Sequence, residues 1–284
     1  MSIETGQFIR LQIPVRTRTL WLSPAWAVVC GIIASNAFAW NGRNVLVAAL
    51  AVVLADGAWA TVWWGLVETD WPNLLAGWHS ISVERGEPSF ASRGSPAHRS
   101  QYWLAHLRAW WKTVAKPQAG TPVLSALFSA ILALLLSAVI GWQALTLSLG
   151  ALALIELGVI ARVRERRTAL AQGFLDVGLA WMLGNAVFSQ LSVLSALTAL
   201  IFSFAYAGAL DLVHGRPVTW RWLLPQLIMV VVLTLIQQPL AALAFIAVLI
   251  AQVLLATVLH GAAFARAAQF WLMLAMLIAA LGIR

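Results

Sequence analysis

Nine long apolar runs follow one another along this chain, divided by glycines, prolines or clusters of charge, and they constrain the fold more than any other feature. They fall at about 20–40, 44–68, 121–140, 142–161, 169–188, 190–213, 220–236, 239–260 and 264–283. A helix needs roughly 20 apolar residues to cross the hydrocarbon layer. Lipid offers no partner for backbone N–H and C=O groups, so a run of that length has to close its hydrogen bonds internally as a helix. The rest of the composition leaves little room for anything else. Of 284 residues, 62% are apolar and 10% charged, and the mean hydropathy is +0.86. A soluble chain of this size carries about a quarter charged residues, which excludes a soluble enzyme. The expectation is a single all-α polytopic membrane domain over 1–284 with nine transmembrane helices. The tight links Gly141-Trp142 and Gln237-Gln238-Pro239 predict antiparallel hairpins.

Charge sets the orientation. The formal net charge is +8, from 18 Lys and Arg against 10 Asp and Glu. With nine spans, all the cations except Arg43 and Arg284 fall on one side of the membrane. Positive residues collect on the cytoplasmic face, so the N-terminus is expected in the cytoplasm and the C-terminus outside, in the cell inner membrane. No basic stripe lies on a soluble domain, which excludes nucleic acid as a partner. Cys30 is the single cysteine and stands in an apolar run, so an internal disulfide or a zinc centre has no basis.

The one long connection, 69–120, is expected on the cytoplasmic surface. Within it, residues at about 101–112 set Trp103, Leu107 and Trp110 against His106 and Arg108 at helical spacing. That pattern predicts an interfacial amphipathic helix, the alternative being a surface helix packed on the bundle. Sixteen tryptophans add to this picture. Trp21, Trp40, Trp142, Trp220 and Trp222 stand at run ends, where indoles anchor in the headgroup layer.

Ionisable groups inside apolar runs are costly and are therefore functional candidates. Asp56 lies mid-run in the second segment, Glu68 and Asp70 close that segment, and Glu156, Asp176 and Asp211 fall in later ones. All but Asp56 belong to the cytoplasmic half, which points to a cavity opening there. Glu156 has a plainer reading as an ion-pair partner of Arg162 or Arg164. At 100° per residue, Asp56, Trp59, Trp63 and Asp70 fall within about 60° of one another, and such a stripe would line a cavity. Without Asp56, a tryptophan stripe would read as packing.

Three stretches carry a family resemblance. Arg166-Arg167-Thr168-Ala169-Leu170-Ala171-Gln172-Gly173-Phe174 is similar to the basic-Thr loop leading into helix 5 of the UbiA superfamily of intramembrane prenyltransferases. Phe204-Ala205-Tyr206-Ala207-Gly208-Ala209-Leu210-Asp211 resembles the run into that family's second acidic motif, and 264–281 its last helix. The resemblance implies a nine-helix UbiA-like bundle and two Asp-rich motifs that hold a prenyl diphosphate through Mg²⁺. The first motif fits in two registers. Asp56-x-x-Trp59-x-x-x-Trp63 keeps the spacing with two acids replaced by indoles, and Trp64-Gly65-Leu66-Val67-Glu68 keeps the depth with one acid. In the second motif Asp211 remains, with Ala207, His214 and Gly215 around it.

Carried over, the resemblance implies metal ligands at Glu68, Asp70 and Asp211. It gives catalytic roles to Asp56, Trp59 and Trp63, the indoles steadying an allylic cation by cation–π contact. Arg85 and Arg93, with Arg99 nearby, are candidates to neutralise the diphosphate through guanidinium forks, or else are topogenic charge; His214 completes that set. The implied function is a prenyltransferase-type protein binding a polyprenyl diphosphate or isoprenoid lipid in a cytoplasm-facing cavity. The alternative is a non-catalytic UbiA-like scaffold that binds quinone or a pigment-like lipid, or a subunit of a larger membrane complex. The reduced carboxylate count leans toward loss of the metal pair.

Overall fold

The computed structural model describes residues 22–81, 95–164, 168–215 and 220–284, and every element among them is helical. The helices are α1 (Pro24–Ala34), α2 (Gly42–Leu66), α3 (Trp71–His79), α4 (96–140), α5 (Trp142–Val163), α6 (169–186), α7 (Val193–Val213), α8 (Trp220–Leu235), α9 (Pro239–Val258) and α10 (Gly261–Gly282). Each predicted apolar run overlaps one of them. Six are long and apolar enough to cross a membrane: α2, α4, α5, α7, α9 and α10. The protein is thus a multi-pass membrane protein by architecture.

Local chemistry marks the helix ends. Asn41 caps α2 by accepting from the Asn44 N–H at 2.8 Å, and Ser192 caps α7 through the Ser195 N–H at 3.0 Å. Proline opens α9 at Pro239, where its missing N–H costs nothing. The α4–α5 link is the single residue Gly141 at φ +145°, a conformation that favours glycine. The two helices pack against each other, as do α8 and α9. The α1 helix ends early, at 11 residues, because Asn36 turns the chain at φ +54°.

Helix α1 packs most extensively on α6, α8 on α7, and α10 on α9. The α1–α6 contact is an exchange of glycines. A Cβ on Gly31 would stand 2.1 Å from the Trp181 carbonyl oxygen, and one on Gly184 would stand 2.1 Å from that of Val28. At the centre, Trp181 stacks on Phe202 with centroids 6.0 Å apart and donates from Nε1 to Ser195 Oγ at 3.0 Å.

Three stretches are π-helical: Val53–Trp59 in α2, Trp111–Ala115 in α4 and Phe174–Leu179 in α6. Such segments are rare and often mark functional positions. The one in α4 joins the predicted 101–112 helix to the apolar stretch, so the two form one uninterrupted helix. The 69–120 connection also contains α3, which the sequence reading leaves out. The two partners share a small core of Leu74, Trp110, Ala115 and Ala119. Trp110 Nε1 donates to the Leu74 carbonyl at 2.9 Å, and His106 Nε2 lies 3.0 Å from the Trp78 carbonyl oxygen.

Candidate functional site

The end of α2 carries the site. Its last turn closes at Leu66, and Thr69 Oγ1 donates back to the Gly65 carbonyl at 2.7 Å. Gly65 also lets α4 come close, since a Cβ there would stand 2.4 Å from the Pro122 carbonyl oxygen. The chain then restarts as α3, with Asp70 as its N-cap. Between these pieces lies a pocket of about 310 Å³, lined by Trp64, Glu68, Thr69, Asp70, Asn73, Leu74, Gln118, Ala119 and Pro122. That volume suits a small ligand or a lipid headgroup. Its polar wall holds two carboxylates, two amides and a hydroxyl, so the pocket favours cationic ligands and hard cations.

The two acids differ in availability. Asp70 accepts from the Asn73 N–H at 3.4 Å and from Asn73 Nδ2, so its carboxylate is committed to capping α3. Glu68 is exposed and has neither a hydrogen bond nor an ion pair among the described residues.

Asp211 does not join them. It is buried at 5% exposure in the last turn of α7 and forms an ion pair with Arg221 at the start of α8, 3.2 Å away. Gly208 makes this possible, because a Cβ there would meet the Trp222 nitrogen at 2.8 Å. His214 turns back on its own helix, its Nδ1 2.7 Å from the Leu210 carbonyl oxygen. Among the described residues, no three of His, Cys, Asp and Glu gather as a metal-holding group. The side chains therefore do not fit the metal pair that the resemblance implies. A single Mg²⁺ keeps most of its waters and takes one or two carboxylates, and Glu68 is the acid left to supply one.

The predicted indole stripe lies elsewhere. Trp59 and Trp63 are each 1% exposed, so no ligand-sized void touches either ring. Trp59 donates from Nε1 to Ser148 Oγ on α5 at 3.3 Å. Trp63 presses on α5 at Gly158, whose Cβ position lies 2.9 Å from Trp63 Cζ3. Trp64, which faces the other way, is the indole at the pocket. Asp70 leaves the stripe altogether, since α2 ends four residues before it. Arg85 and Arg93 fall outside the described residues.

Asp56 and Asp176 have a setting that the sequence reading did not foresee. Each sits half-buried in a π-helical stretch, in α2 and α6 respectively, and those stretches touch. Gln172 Nε2 donates to Asp176 Oδ2 at 3.3 Å. Neither carboxylate is isolated.

A second unforeseen feature lies between α7, α8, α9 and α10. Gln226 and Gln252 exchange side-chain hydrogen bonds of 3.1 and 2.8 Å across α8 and α9. On α10, Gln269 Oε1 accepts from the Leu22 N–H at 3.1 Å. These amides are fully buried in an otherwise apolar bundle and tie the helices together, as polar side chains do in membranes.

Comparison with protein-family models, with curated proteins and with solved structures finds no match. The class defined by fold and site is a multi-pass membrane protein, helical throughout its described residues, with a ligand-sized acidic pocket at the end of α2.

Proposed function

We propose that the protein is a UbiA-like, prenyltransferase-type integral membrane protein that holds an isoprenoid lipid by its polar head in the pocket at the end of α2. The observation that carries this reading is the pocket itself. It has the volume of a headgroup site and bears Glu68 and Asp70 at the helix end where the resemblance places the first acidic motif. A Mg²⁺ held there would bridge Glu68 and a diphosphate, since magnesium binds substrate phosphates readily. The lipid tail would lie among the apolar helices.

The Asp211–Arg221 pair supports the second reading, a scaffold that binds an isoprenoid, quinone or pigment-like lipid without turning it over, alone or within a larger complex. An acid already neutralised by a guanidinium is a poor partner for the second metal of a transferase.

Titration of purified protein with geranylgeranyl diphosphate, with and without Mg²⁺, tests the pocket. Saturable binding is expected, weakened about tenfold or more by Glu68→Gln through loss of a charged contact. Equal affinity in the variant would remove the pocket from the account.

The proposal includes nine spans, a cytoplasmic N-terminus and an outward C-terminus in the cell inner membrane, on the strength of the lopsided Lys and Arg distribution. A cysteine at Gln101, exposed on α4, should resist an impermeant thiol reagent in intact cells; the native Cys30 is buried and gives no background. Rapid labelling would invert the orientation.

A further inference from the structure

Between Glu87 and Glu156 the chain has no acidic residue at all, yet α4 carries Arg108, Lys112 and Lys116 at steps of four. All three side chains are exposed. None has an ion pair or hydrogen bond among the described residues, in contrast to Arg221, which holds Asp211, and Arg284, which holds Asn36. Their place along the helix gives them a specific neighbour. The exposed apolar face of α4 runs through Leu124, Leu127, Ile131, Leu135 and Val139. Those residues cover about 22 Å of helix at 1.5 Å per residue, most of a hydrocarbon layer about 30 Å thick. Lys116 stands about 12 Å below Leu124 on the same count, and Lys112 one turn further, which is headgroup depth. At 100° per residue Lys116 lies about 20° from Leu127 around the axis. The first cation of the row therefore lies under the face that meets lipid and is not turned into the bundle.

We propose that Arg108, Lys112 and Lys116 form a binding surface for the phosphate of an anionic phospholipid at the foot of the apolar stretch of α4. Cations just outside an apolar helix attract anionic headgroups. No carboxylate on that helix offsets the attraction. The surface is separate from the acidic pocket and does not depend on what the pocket holds. A lipid seated there would also brace α3, which packs on the same helix.

Native mass spectrometry of the full-length protein, supplied with phosphatidylglycerol or phosphatidylcholine of identical chains, tests the surface. The wild type should retain phosphatidylglycerol preferentially, and R108Q/K112Q/K116Q should lose that preference by about fivefold per cation. R162Q/R164Q, which removes two exposed cations from the end of α5, should keep it. K112R/K116R should keep it as well, which separates loss of charge from loss of fold. No preference in the wild type, a preference that survives the triple substitution, or an equal loss in R162Q/R164Q would overturn the proposal.

Discussion

Gly31→Val and Gly184→Val are each expected to leave no folded, monodisperse protein after extraction in detergent. The physical reason is the reciprocal glycine contact between α1 and α6. In either variant the new Cβ would stand 2.1 Å from a backbone carbonyl oxygen, far inside van der Waals contact, and the obstacle is main chain that no rotamer change can move. Overpacking a well-filled core costs about 1–3 kcal/mol when side chains can give way; here α1 has to leave α6. That contact is the most extensive that α1 makes among the described residues. Gly150→Val provides the control, because a Cβ on this α5 glycine meets nothing within 4 Å. Size-exclusion profiles and thermal unfolding of the three variants decide the matter. A sharp, thermostable peak for Gly31→Val would mean that α1 does not dock as described.

The second large effect is expected at the tryptophans of α2. Trp59→Ala and Trp63→Ala should each cost about 3–5 kcal/mol of stability, the usual price of emptying an aromatic site in a packed core. Both rings sit inside the α2–α5 contact, Trp59 tied to Ser148 and Trp63 wedged against Gly158. The milder Trp63→Phe keeps most of that packing, and should keep ligand binding too. The opposite outcome, unchanged melting with binding lost, would restore the cation–π role that the family resemblance implies for Trp63.

How far the sequence could be read follows from what each signal depends on. Apolar run length depends only on the bilayer, so the positions of α5 to α10 are legible within a few residues, and of α4 only its apolar end at 121–140. Asn36 at positive φ and the restart of the chain at Asp70 depend on local turns, and neither leaves an apolar signature. The helix α3 was hidden for that reason. The stripe from Asp56 to Asp70 failed on geometry. A constant 100° per residue carries it past the real end of α2 and across the π-helical stretch Val53–Trp59, which holds both Asp56 and Trp59 and where the angle per residue is smaller.

Within the site, Glu68 and Asp70 were legible as acids at a helix end, but the cap that occupies Asp70 is a tertiary consequence of where α3 begins. Asp211 is legible as a buried acid; its partner is not, because Arg221 counts in the sequence only as topological charge. The glutamines carry no charge, so a reading of ionisable groups passes over them. An uncharged amide in an apolar run, such as Gln226 or Gln252, costs enough in lipid to demand a partner, and that rule would have found them.

The proposed occupant of the acidic pocket at the end of α2 is the head of an isoprenoid lipid. The most direct measurement is organic extraction of the purified protein followed by mass spectrometry of what it carried from the membrane, for the wild type and for Glu68→Gln side by side. An isoprenoid species near one per chain is expected in the wild type, depleted in the variant against an unchanged background of phospholipid. Phospholipid alone in both samples, or an isoprenoid retained equally by Glu68→Gln, would contradict it.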